Sequence, residues 1–183
     1  MSDGYHHGDL RRTLQTTAAA VITESGPASL SLRDLARRAG VSHAAPAHHF
    51  RDRRGLLTAL AAEGQRLLAD ALAAAAPAGF DEVAVAYVRF ARTHPGHYAV
   101  MHRPDLVAPD APELVAARAA ASEQLAAGVA SLPPGAHRGL SEDDARRAAW
   151  ALVHGIATLA AEDSTPEADL EAFTRRAARQ LFG

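Results

Sequence analysis

The residues with most to offer chemically lie between Ser31 and Phe50, where the chain reads SLRDLARRAGVSHAAPAHHF. Ser42, His43 and His48 carry hydrogen-bond donors suited to phosphate oxygens or base edges. Ala44 and Ala47 are small enough for a helix to sit deep in a DNA major groove, and their methyls can touch thymine methyls. Arg33, Arg37, Arg51 and Arg53 can reach the flanking backbone. No acid stands between Ser42 and Arg51, and a face that no longer met a polyanion would tolerate one. In isolation, histidines such as His43 and His48 are more often plain surface residues; within the whole motif the DNA reading is the better one. His49 is expected to pack in the hinge that follows.

Other constellations say less. His94, His97 and His102 have a spacing that could gather imidazoles on a metal, but Pro95-Gly96 breaks the helix that would align them. No carboxylate is suitably placed either, so no metal is expected. Trp150 and His154 stand one turn apart, and a core tryptophan beside a hydrogen-bonded histidine accounts for them better than catalysis does. No nucleophile elbow or oxyanion loop accompanies any serine, so no catalytic residue, enzyme activity or cofactor is expected. The chain has no cysteine, which excludes disulfides, thiolate metal sites and cysteine nucleophiles.

The elements that must position these residues are helices. About a quarter of the 183 residues are Ala, the best helix former, while β-branched and aromatic residues are scarce. The periodicity predicts about nine helices, with three short ones first. Leu10, Leu14, Ala18, Val21 and Ile22 recur at helical spacing over Asp9–Ser25, and Gly26-Pro27 ends that helix. Ser31-Leu32-Arg33-Asp34 has the form of a capping box, with Ser accepting from the third amide and Asp reaching back. Gly40 supplies a tight turn, and Leu32, Leu35, Ala36 and Val41 supply the apolar contacts, which is the layout of a helix-turn-helix. Pro46 predicts that the second helix is short or starts late. Asp52 is expected to cap a long fourth helix, inside which Gly64 points to close packing. Later helices are expected near Phe80–Thr93, Glu113–Ser131, Ser141–Ala161 and Pro166–Phe182, with a short segment carrying Tyr98, Val100 and Met101 between the first two.

Charge separates the two ends. Residues 1–56 hold eight Arg and five acids, the rest eleven Arg and sixteen acids, and five of the ten His fall in the basic part. A +3 head on a −5 body points to a polyanion partner for the head alone. All positive charge is Arg, with no Lys, which speaks of a GC-rich genome rather than of function. The apolar stretches are too short to span a membrane, and the first residues lack the layout of a signal peptide, so a cytoplasmic protein is expected.

On these residues the chain resembles a known family. Residues 5–60, YHHGDLRRTLQTTAAAVITESGPASLSLRDLARRAGVSHAAPAHHFRDRRGLLTAL, are similar to the DNA-binding domain of TetR transcriptional regulators. HPGHYAVMHRPDL (94–106) and WALVHGIATL (150–159), with its W-x3-H-G pattern, resemble the ligand-sensing and dimerisation domain of one TetR branch. Two departures stand out: Ala47 replaces a tyrosine that in the family often touches phosphate, and Arg53 replaces a lysine at the start of the fourth helix.

The resemblance implies an all-α protein with a three-helix DNA-binding domain at 1–55 and a helical effector-binding and dimerisation domain at 56–183. It implies a repressor, bound as a homodimer to a palindromic operator in double-stranded DNA and released by a small molecule. The alternatives are a helical small-molecule-binding protein or enzyme that has lost DNA binding, and a nucleoid-associated binder without effector control. The DNA-contact set is Arg33, Ser42, His43, Ala44, Ala47, His48, Arg51 and Arg53, the last as a phosphate contact. Tyr87, Phe90, Met101, His102, Trp150 and His154 are expected to line or border an effector pocket, although a solid core would use the same residues. Leu152, Gly155, Ile156, Leu159, Phe173 and Ala177 are expected at the dimer contact, two helices from each chain making a four-helix bundle.

Overall fold

The computed structural model of the chain describes residues 3–133, 135, 136, 139–161 and 166–182, with side chains from residue 9 onward apart from that of residue 167. Among the described residues there are nine α-helices and no strand: α1 (Asp3–Ser25), α2 (Leu32–Arg38), α3 (Ala45–Phe50), α4 (Arg53–Ala75), α5 (Phe80–Thr93), α6 (Pro95–Met101), α7 (Pro112–Ala130), α8 (Glu142–Ala160) and α9 (Glu167–Phe182). Among these described residues no helix is long and apolar enough to cross a membrane. The expected run of three short helices is corrected at its first member. α1 has 23 residues and begins six residues before Asp9, since His6, His7 and Gly8 do not stop it.

Local chemistry sets the helix ends. The Ser31 hydroxyl accepts from the Asp34 amide at 3.1 Å and opens α2. Only this half of the capping box forms, because the Asp34 carboxylate accepts from Arg37 and Arg38 instead of reaching back. Asp52 caps α4 by accepting from the Gly55 amide at 2.7 Å. Ser141 caps α8 through the Asp144 amide at 3.2 Å. α2 ends at Gly40, whose φ of 67° is open to glycine without strain. There the Val41 amide returns to the Ala36 carbonyl at 3.0 Å and the Gly40 amide to that of Arg37 at 3.3 Å, the paired bonds of a Schellman end.

Packing divides the chain into two compact units, Met1–Gln65 with His94–Ala117, and Arg66–Thr93 with Arg118–Gly183. The segment from His94 to Ala117 packs with the first 65 residues. In the first unit, Leu14, Ala18, Val21 and Ile22 of α1 meet Leu35 of α2, Phe50 of α3, Leu56, Leu57 and Leu60 of α4, Val100 of α6 and Leu114 of α7. α6 lies close on its neighbours there. A Cβ at Gly64 would stand 2.7 Å from the Met101 sulfur, which bears out the close packing expected at that glycine.

In the second unit α5 packs against both α8 and α9. Phe80, Val83, Tyr87 and Phe90 are buried from α5, Ala145, Ala149, Val153 and Ile156 from α8, and Leu170 and Phe182 from α9. The rings of Phe80 and Phe182 meet edge to face at 5.0 Å. Three arginine–carboxylate pairs stitch α9 to α5: Arg175 to Glu82, Arg89 to Glu171, and Arg179 to Asp81.

Candidate nucleic-acid interface

α2 and α3 form the two arms of a helix-turn-helix. Leu35 and Ala36 are fully buried, Leu32 and Val41 pack partly against the same core, and Gly40 turns the chain between them. α3 starts late, as Pro46 predicts. The proline occupies the second position of the helix, where its missing amide leaves no intrahelical bond unmade, and it is buried. In consequence Ser42 and His43 sit in the turn ahead of α3 rather than on it, and Ala44 is the residue that caps it. All three are exposed, as are Ala47, His48, Arg51 and, on α2, Arg33. Seven of the eight expected contact residues are therefore exposed on this unit's two-helix element or at its ends.

His49 is half-buried at the hinge, as expected. Its carbonyl accepts from Arg11 Nη1 at 3.2 Å, and the Arg11 guanidinium lies over the Phe50 ring with its central carbon 4.8 Å from the centroid. Arg37 and Arg38 both donate to Asp34, and Arg38 also pairs with Glu24 of α1 at 3.0 Å. These two arginines, Arg37 first, hold the Asp34 carboxyl below its ordinary range. Much of the positive charge on α2 is thus answered within the unit, which composition alone could not reveal.

The joint between α3 and α4 is tight. Arg51 has φ 68° and ψ −58°, and the Asp52 amide bonds the Phe50 carbonyl at 2.8 Å, which makes a γ-turn of the rare positive-φ form. A side chain other than glycine pays for that conformation in strain. Gly55 lies directly over the same carbonyl, where a Cβ would come 2.0 Å from the Phe50 oxygen. Beside this joint a cavity of about 460 Å³ is lined by Arg11, Ala47, His48, Arg51 and Glu113 among others.

The first turn of α4 also holds two arginines against backbone. Arg53 donates from Nε to the Leu30 carbonyl at 2.9 Å and from Nη2 to the Pro27 carbonyl at 2.6 Å, in a half-buried setting. Its guanidinium, expected on a DNA phosphate, is thus engaged on the turn that leads into α2. Arg54 donates from Nε and Nη2 to the Val107 carbonyl at 2.9 and 2.6 Å. The Thr58 hydroxyl accepts from the next amide, Ala108, at 2.9 Å. Sequence reasoning missed Arg54 and Thr58, since nothing local in the sequence says that a loop fifty residues on comes back to them.

The remaining expected residues fall in both units. In the first, Met101 is buried against Gly64, and the His102 ring meets that of Tyr98 at 5.3 Å. In the second, Tyr87 and Phe90 are buried, and the Tyr87 hydroxyl meets His154 Nδ1 at 3.3 Å. Burial pushes the His154 imidazole below its ordinary value. Trp150 is not a core tryptophan. It is 45% exposed and stacks face to face on His154, 4.9 Å between centroids and 12° between planes. α8 is buried along one flank and open along the other: Leu159 is 70% exposed, Phe173 of α9 is 49% exposed, and a Cβ at Gly155 would meet nothing within 4 Å. Leu152 and Ala177 are half-buried beside them, whereas Ile156 is buried within its own unit.

Comparison with known proteins agrees with this architecture. Residues 15–60 match the family model of bacterial regulatory proteins of the tetR family, and residues 80–181 match that of the tetracyclin repressor-like C-terminal domain. A protein of unknown function from Rhodococcus sp. RHA1 is 37% identical in sequence over 98% of each chain, with a TM-score of 0.75. Two more distant likenesses show the fold. One is PfmR, a TetR family transcriptional regulator from Thermus thermophilus, with 21% identity over 93% of this chain and 97% of that one and a TM-score of 0.72. The other is the TetR-like regulator LfrR from Mycobacterium smegmatis, solved with proflavine, with 24% identity over 94% and 96% and a TM-score of 0.68. Among curated proteins, none matches the chain in sequence.

Proposed function

The chain belongs to the TetR family of bacterial regulatory proteins, DNA-binding transcriptional regulators with a ligand-binding carboxyl-terminal domain, and from that premise we propose that it is a repressor released from a palindromic operator by a small molecule. The observation that carries the DNA half is the exposed set Arg33, Ser42, His43, Ala44, Ala47, His48 and Arg51, gathered on one helix-turn-helix without an acid from Ser42 to Arg51. His43, Ser42 and the two alanines are suited to base edges, Arg33 and Arg51 to phosphates. With Ala47 in place of a tyrosine, His48 carries more of the contact on that flank.

A homodimer, acting in the cytoplasm, would set two such elements in successive major grooves, their centres roughly 34–36 Å apart or a multiple of that. The unpartnered apolar flank of α8 and α9, with Leu152, Gly155, Leu159, Phe173 and Ala177, supports this reading. For the effector, Tyr87, Phe90, Trp150 and His154 supply an aromatic wall with two polar points, the usual make-up of a small-molecule site. A planar ligand such as the proflavine held by LfrR is one chemistry that a Trp–His stack would suit.

The test is selection of duplexes from a random pool by the full chain, followed by binding to the selected sequence and to its scrambled form at physiological salt. Recovery of a palindrome bound at least about a thousand-fold more tightly than the scramble is the expected result, the lower end of the usual span of specificity ratios. Equal affinity for both would overturn the reading.

A further inference from the structure

The two-helix element is fastened to the first turn of α4 at both ends. At its exit, the Phe50 carbonyl accepts from the Asp52 amide and lies under Gly55, which has no side chain to push it away. At its entrance, the Arg53 guanidinium takes the Pro27 and Leu30 carbonyls, one on each of two donors. Leu30 is 3% exposed, and the residue after it is Ser31, the cap of α2. The bond to the Leu30 oxygen therefore fixes the peptide from which α2 starts, and with it the direction of Arg33 and of the turn that carries Ser42 and His43.

We propose that Arg53 is a positioning residue for DNA recognition, which sets the entrance of α2 instead of neutralising a phosphate. The inference rests on the DNA-binding reading and assigns a different role to a residue expected on the operator backbone. It also accounts for arginine at this place. Two carbonyls on separate residues need a rigid fork with donors at fixed separation, and an ammonium is a single point charge on a flexible stem. A phosphate, in contrast, is served by either side chain. Arg54 follows the same pattern one residue later, with both donors on the Val107 carbonyl, so the start of α4 grips backbone on two sides.

Arg53→Lys keeps the charge and removes the fork, which makes it the decisive variant; Arg53→Gln removes both. In the DNA-free protein, amide exchange at Asp34 and Leu35, whose protons are held by Ser31, should quicken at least ten-fold in both variants, while that at Leu57 and Leu60 of α4 stays as in the wild type. On the selected operator, affinity should fall at least ten-fold in both variants with binding to scrambled duplex unchanged. Plots of log affinity against log salt should run parallel to that of the wild type. Restoration of operator affinity by Arg53→Lys would overturn the proposal, and so would unchanged amide exchange. A salt slope shallower by about 0.9 per head in Arg53→Gln would also overturn it, because that is the signature of one lost phosphate contact. Failure of the wild type to prefer any duplex would sink the DNA reading, and the exchange measurement would still decide whether Arg53 orders the entrance of α2.

Discussion

The guanidinium of Arg175 spans both carboxylate oxygens of Glu82: Nε donates to Oε1 and Nη2 to Oε2, the second at 3.1 Å. Glu171, one turn before Arg175, joins the same pair and also takes Arg89, so α9 is tied to α5 by a branched set of charges. Both members of the pair are about 30% exposed, at 31% and 30%, which shields them partly from screening by water and salt.

From that geometry comes a pH-dependent prediction. Arg175 holds the Glu82 carboxyl below its ordinary range, against the opposing effects of burial and Asp81. A carboxylate with a lowered folded value contributes stability above its unfolded value, near 4.5, and loses it as the pH falls through the folded value. Glu82→Gln should therefore lower stability near neutral pH by about 1 kcal/mol, in line with a well-formed ion pair at a half-exposed site. In strong acid the difference should vanish. Denaturant titrations at both pH values check this, and an equal difference at each would contradict it.

Gly55 gives a sharper mutational test. The Phe50 oxygen stands 2.0 Å from where a Cβ would be, and a backbone atom cannot swing aside as a side chain can. Gly55→Ala should destabilise by roughly 1–3 kcal/mol, the range of overpacking, despite the better helix propensity of alanine. The contrasting control is Gly128→Ala in α7, where a Cβ would meet only ordinary contacts, the nearest at 3.5 Å, and propensity predicts a gain of up to about 1 kcal/mol. Thermal unfolding of the two variants side by side decides it; the reverse order of stabilities would refute the close approach.

The stack of Trp150 on His154 can be watched directly, since Trp150 is the only tryptophan. Burial lowers the imidazole below its ordinary value of 6.5, so the ring stays neutral at neutral pH and accepts or donates toward the Tyr87 hydroxyl. Protonation should quench the indole, with a midpoint below 6.5, and His154→Gln should abolish the step. The sign for stability follows: the contribution is intact above the unfolded value and is lost as pH falls from there toward the lowered folded one. A fluorescence midpoint at or above that of an unburied histidine would show that burial does not govern this ring.

How much of this was legible in the sequence depends on distance along the chain. Signals that act over three or four residues read correctly: the Asp52 cap, the Ser31 cap, the late start that Pro46 imposes on α3, and α5 over Phe80–Thr93. Contacts set by tertiary packing did not. The oxygens that take Arg53 lie 23 and 26 residues away, and the one that takes Arg54 lies 53 away. No periodicity marks such partners, so Arg53 reads as a phosphate contact and Arg54 is passed over. Trp150 was misjudged for a related reason: its spacing from His154 gives a shared face, but which neighbour covers that face is fixed by α5 and not by α8 itself.

The association prediction rests on what α8 and α9 leave uncovered within their own unit. Ala145, Ala149, Val153 and Ile156 turn to the interior, while Leu152, Gly155 and Leu159 recur at helical spacing on the adjoining flank. A leucine 70% exposed next to a glycine with empty space before it, and a phenylalanine 49% exposed on α9, form a surface that water disfavours. A second copy of the same flank would fill the space at Gly155 and cover both large side chains, in the self-complementary manner of a two-fold contact. One helix-turn-helix alone makes too few contacts for tight specific binding, so loss of the dimer should carry loss of operator affinity with it. Gly155→Arg and Phe173→Glu should each sediment as folded monomers, with helical circular dichroism kept and operator binding reduced at least a hundred-fold. Because Phe173 is exposed and a Cβ at Gly155 meets nothing in its own unit, a variant that unfolded would itself count against this account of the surface. A wild-type chain that sediments as a monomer at micromolar concentration and still selects its operator would end the proposal.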